Sequence, residues 1–159
     1  MRSSELHVAE GIEALRAELA AFGQLREVLL HEQTALLAND VDAVLQLADK
    51  KSQLVERLGE LAALRSQAVD RLPGAFATRA PQDPPDTVPA SLRDLWKDLL
   101  HAAREARNLN ETNGQLVTAR LQHNHSALAT LRAAERGLAL YGPDGHNDFQ
   151  PAHRELGRA

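Results

Sequence analysis

The chain has no cysteine at all, and among its 159 residues it has one tryptophan, one tyrosine and three phenylalanines. Without a thiol there is no disulfide, no thiolate metal site and no cysteine nucleophile, a composition at home in a reducing cytosol. Aromatics are only 3%, whereas leucine and alanine dominate, as they do in long amphipathic helices rather than in sheets. No apolar run approaches the roughly 20 residues that a bilayer span requires, and the opening MRSSELHVAEGIEALRAEL is amphipathic and charged rather than leader-like. A soluble cytoplasmic protein without membrane insertion is expected. There is no surplus of positive charge either: the net charge is −4, with 8 basic and 12 acidic side chains in residues 1–71 and 10 of each in 72–159. Nucleic acid is therefore not an expected partner, because phosphate backbones reward a basic face.

Catalytic and cofactor motifs are missing as well. Neither GxxxxGK[ST] nor GxGxxG occurs, and the GPDG turn follows a helical stretch instead of opening one as a phosphate cradle does. His123 and His125, two apart, fall on different faces of a helix, and there is no HExxH or ExxH pair. Asp98 and His101 read as a surface pair one turn apart. No enzyme activity, no metal and no cofactor are expected.

What is present is helical periodicity. Val8, Ile12, Leu15, Leu19, Phe22, Leu25, Leu29 and Leu36 form one stripe, predicting a first helix over about 4–38 with Ser4 as its N-cap. Asn39 and Asp40 interrupt it, and either can cap the next helix. A second stripe through Val41, Val44, Ala48, Leu54, Leu58, Leu61, Ala68 and Leu72 predicts a helix over about 40–71, with Lys51 and Arg65 at its edge, where their charges can reach water. Residues 72–90 hold five of the seven prolines and read as an irregular connection, in which Phe76 can serve as an anchor. Ser91 with Asp94 resembles a capping box opening a third helix over about 91–140, which Gly142-Pro143 stops. Its stripe runs Leu92, Leu95, Leu99, Ala103, Ala106, Asn110, Asn113, Val117, Leu121, Asn124, Leu128, Leu131 and Leu138. The asparagines on it either fix register between helices or give polar points to a recognition groove. One helical domain over 1–147 and a frayed polar tail over 148–159 complete the expectation.

The lengths do not match. The first two helices span about 50 Å each and an unbroken third one about 74 Å. The fold class expected is all-α: an elongated antiparallel three-helix bundle with a long C-terminal helix that overhangs it. The alternative is a third helix broken near Gly114, giving four. The overhang is favoured because the stripe stays in phase across Gly114. An overhang leaves leucines uncovered, and monomers rarely expose such a contiguous patch without a partner. A homodimer through helix 3 would cover the same patch, as would assembly into a structural coiled-coil subunit.

With those residues in view, the chain resembles the FlgN family of flagellar export chaperones over residues 6–145. The resemblance rests on LLHEQTALLANDVDAVLQLADKKSQLVERLGEL in the first helical pair, on Trp96, on Asn110 with Asn113-Gly114, and on LYGPDG at 140–145. It implies a non-enzymatic chaperone of flagellar type III secretion. Such a protein holds the C-terminal helical segment of the hook–filament junction proteins FlgK and FlgL, prevents premature association and delivers them to the export gate. In that family the C-terminal helical region is associated with cargo, which points here to Val117, Leu121, Leu128, Leu131 and Leu138. Tyr141 of the LYG signature is a candidate contact with the export gate, or alternatively a ring packed on the helix end.

Overall fold

The computed structural model describes residues 2–71 and 89–139, with side-chain surroundings for 5–71 and 89–136. The proline-rich connection with Phe76, Tyr141 and the polar tail lie outside the described residues, as does the side chain of Leu138. Three helices follow one another, α1 (Arg2–Ala38), α2 (Val41–Asp70) and α3 (Ala90–Ala139), and among the described residues there is no strand. The all-α expectation holds. α3 is one helix of 50 residues running straight through position 114, so the alternative with a break near Gly114 is not the one adopted. The chain divides into two compact units, Met1–Val117 and Thr118–Ala159.

In the first unit, α2 runs antiparallel to α1, because Glu18 pairs with Arg65 whereas Glu32 pairs with Lys51. α3 runs parallel to α1, because Arg26 meets Glu105 and Glu32 meets Asn113. The reversal between α1 and α2 is built from two residues with different tasks. Asn39 adopts a left-handed φ of 61°, and its N–H donates to the Leu36 carbonyl while that of Asp40 donates to Ala35. These two bonds make a Schellman motif that satisfies the last carbonyls of α1, and asparagine tolerates the left-handed region better than most residues. Asp40 then caps α2, its carboxylate accepting from the Ala43 N–H at 3.0 Å.

Two capping expectations are corrected. α1 already begins at Arg2, so Ser4 lies inside it. α3 begins at Ala90, and the carbonyl of Pro89 accepts from the N–H groups of Leu92 and Arg93 at 3.0 and 3.1 Å. Ser91 is thus within the first turn, and proline takes the boundary because its missing N–H would go unbonded there in any case.

The stripes meet in two connected cores. Leu15, Val69, Leu92, Trp96 and Leu99 form one, and Ala21, Leu25, Leu29, Leu58, Leu61 and Ala106 the other, with Phe22 packed against both. The expected stripe of α2 is buried at Leu58, Leu61 and Ala68, with Val69 joining them, but not at its start, where Val41 is exposed.

Candidate binding surface

Two polar ties set how the three helices register within the first unit. At the first, the buried Glu18 carboxylate of α1 accepts from Arg65 Nε of α2 at 2.5 Å, and the same guanidinium lies 4.9 Å over the Trp96 ring of α3. At the second, buried Glu32 accepts from Lys51 Nζ at 2.5 Å and from Asn113 Nδ2 at 2.8 Å. Asn113 also donates to the Leu29 carbonyl at 2.9 Å. Its Oδ1 has no hydrogen-bond partner among the described residues. The reverse orientation of the amide would set that oxygen against a carboxylate, so donation is the favourable arrangement. Each tie spans all three helices. Lys51 and Arg65 therefore turn inward to buried carboxylates instead of reaching out to water.

Of the three asparagines on the stripe only Asn113 is buried, at 2% exposure, and it is the one that fixes register; Asn110 and Asn124 are exposed. Beyond it the character of α3 changes. From Leu121 to Arg136 every side chain is exposed, including Leu121 at 54%, Leu128 at 51% and Leu131 at 62%, while Val117 is 41% exposed at the end of the first unit. Of the expected site residues, Val117 is open to solvent in the first unit, and Leu121, Leu128 and Leu131 are open on one face of the second unit's helix. The second unit's helix relies on its own backbone and on good helix formers such as Ala127, Leu128, Ala129, Ala133 and Ala134. Ser126 and Thr130 donate their hydroxyls to the carbonyls four residues earlier, at 3.0 Å each, so neither adds a free donor to the surface.

Nothing in the described residues assembles a reaction centre. No group of three histidine, aspartate or glutamate residues is placed to hold a metal ion among them. His101 faces Glu105 at 4.0 Å one turn on, not Asp98. No described helix is long and apolar enough to cross a membrane. What the second unit's helix offers is an exposed apolar face.

Glu18 and Glu32 escaped the reading of the sequence, although a signal was there. They stand fourteen residues apart on α1, as do Lys51 and Arg65 on α2, two heptads in each case.

Comparison with known proteins agrees with this architecture's expected kinship. Residues 1–148 match the family model described as FlgN protein. The chain is 32% identical over 134 residues to the flagella synthesis protein FlgN of Yersinia enterocolitica, covering 83% of this chain and 85% of the relative. The same figures hold for the protein of that name from Y. enterocolitica serotype O:8, biotype 1B. No solved structure matches significantly. A match across most of the chain, together with a relative at this identity and coverage, places the protein: it belongs to the FlgN family.

Proposed function

We propose that the protein is a cytoplasmic flagellar type III export chaperone, and that its activity is binding rather than catalysis. Its cargo would be the C-terminal helical segment of the hook–filament junction proteins FlgK and FlgL, held on the face of α3 formed by Val117, Leu121, Leu128, Leu131 and Leu138. The observation that supports this is the run of half-exposed leucines on a helix whose preceding stripe is buried core. An amphipathic cargo helix laid along that face completes the burial, and each leucine contributes about 1 kcal/mol, since full burial is worth roughly 1.5–3 and half is already achieved. While covered, the cargo's own apolar face is withheld from premature association. Tyr141 would then contact the export gate.

The test is a titration of a labelled C-terminal FlgK peptide against the wild type and against Leu128→Asp with Leu131→Asp. Both positions are exposed, so helicity and unfolding midpoint should stay unchanged while affinity falls at least tenfold. Equal affinity for the two proteins would place cargo elsewhere. The same face also suits a homodimer or a structural coiled-coil subunit; a tight dimer by light scattering that the double substitution dissolves, together with no peptide binding, would favour that reading.

A further inference from the structure

A second surface lies wholly within the first unit. A groove of about 700 Å³ opens between α2 and α3, floored by Leu25 and Leu29 of α1 and walled by Ser52 and Val55 of α2 and by Ala103 and Ala106 of α3. Ser52, Ala103 and Ala106 are small and let another backbone come close at those points, while Lys51, Glu56, Arg107 and Asn110 add polar groups to the lining. Val55 is 55% exposed, and Val41 and Leu45, each 61% exposed, continue the same face of α2 at helical spacing. Alongside them run Asp42, Asp49 and Glu56, seven residues apart, so they form one row. Seven acidic residues of the unit, Glu10, Glu18, Glu27, Glu32, Glu60, Glu105 and Glu111, are in ion pairs. Among the described residues Asp42, Asp49 and Glu56 have none. On the opposite wall Arg107 is engaged by Glu111 at 2.8 Å, whose hydrogen bond and charge raise its pKa above the ordinary value. Along this row of α2 the uncompensated charge is negative, and of its members Glu56 lines the groove itself.

We propose that this groove seats one amphipathic helix of a partner protein, its apolar ridge flanked on the α2 side by lysine or arginine at seven-residue spacing. The walls supply the apolar contact, and the acidic row chooses the partner and its direction. A second copy docked through this face is disfavoured, because it would set two acidic rows against each other. The groove shares no residue with the leucine face of α3.

Two synthetic peptides of about 21 residues, sharing one leucine ridge over three heptads and differing only in lysine or glutamate flanks, test this against the full chain by fluorescence anisotropy. The lysine peptide should bind about tenfold more tightly at low salt, with the preference shrinking near 1 M salt as exposed charges are screened. Asp49→Lys with Glu56→Lys should reverse the order, and Val55→Glu should weaken both peptides. Leu128→Asp with Leu131→Asp should alter neither affinity. All these positions are exposed, and circular dichroism checks that the variants fold. Equal affinity for the two peptides at low salt, or binding indifferent to Val55→Glu, overturns the proposal. Loss of binding in the Leu128/Leu131 variant also overturns it, by moving the site to α3, and leaves the cargo reading standing.

Discussion

Replacing Lys51 by methionine keeps the apolar stem and removes only the ammonium, which makes it a clean probe of the second tie. The Glu32 side chain is 7% exposed and that of Lys51 27%. Removing one member of a fully buried pair costs about 3–5 kcal/mol, because the other charge stays desolvated without its partner. Here water reaches the Lys51 side and the Asn113 amide still donates to Glu32, so the lower end applies, about 2–3 kcal/mol. For a chain of this size that lowers the melting temperature by roughly 4–12 °C. Urea and thermal unfolding followed by helical circular dichroism measure it. The decisive variant is Glu32→Gln together with Lys51→Met, expected to recover at least about 1 kcal/mol of that loss, since a neutral amide leaves no desolvated charge while its oxygen still accepts from Asn113. If Lys51→Met alone costs less than about 0.5 kcal/mol, or the double substitution is no better than the single, then Glu32 is not the buried, paired carboxylate described here.

The turn and the long helix give two smaller effects. Asn39→Ala should cost about 1–2 kcal/mol in urea unfolding, because alanine meets the left-handed penalty at a φ of 61°, whereas Asn39→Gly should be neutral or slightly stabilising; an unchanged alanine variant would refute the Schellman geometry. Gly114→Ala should stabilise by about 0.5–1 kcal/mol, since a Cβ at this position meets nothing within 4 Å. A loss of stability would mean that the backbone at Gly114 departs from the regular helix seen here.

Period and punctuation made the three helices legible before any coordinates. The Asn39-Asp40 interruption marked the reversal, and Leu15, Leu29, Leu58, Leu92 and Leu99, all nominated by the stripes, are buried, whereas the buried Val69 and Trp96 lie off them. Capping was less legible. Serine is the commonest N-cap, yet Ser4 and Ser91 both fall inside helices, and the Pro89 carbonyl opens α3. The polar ties were hidden for a different reason. Glu18 looks in sequence like any acidic residue beside a stripe, and only the antiparallel pairing of α1 with α2 brings Arg65 to it. Likewise Asn110, Asn113 and Asn124 hold equivalent positions in the pattern, but only Asn113 has Glu32 opposite.

Periodicity says which face of a helix is apolar; it does not say what covers that face. Leu99 and Leu128 satisfy the same pattern, yet one is 4% exposed and the other 51%. α1 ends at Ala38, only six residues past Glu32, the partner of Asn113. A stripe of leucines and alanines, taken alone, would let α3 slide by a heptad against α1 and α2. That slide carries Val117 only into the exposed place of Asn110, so it gains no burial there. It also brings Ala103 into the seat of Trp96 and Ala106 into that of Leu99, two residues each 4% exposed. Such exchanges leave cavities costing about 3–5 and 2–5 kcal/mol, and the Asn113 bond to Glu32 is lost with them, at about 1.5–3 kcal/mol for a bond to a charged group. These costs meet no comparable gain. The placement of one tryptophan and one asparagine therefore fixes the register of α3 against α1 and α2 within the first unit.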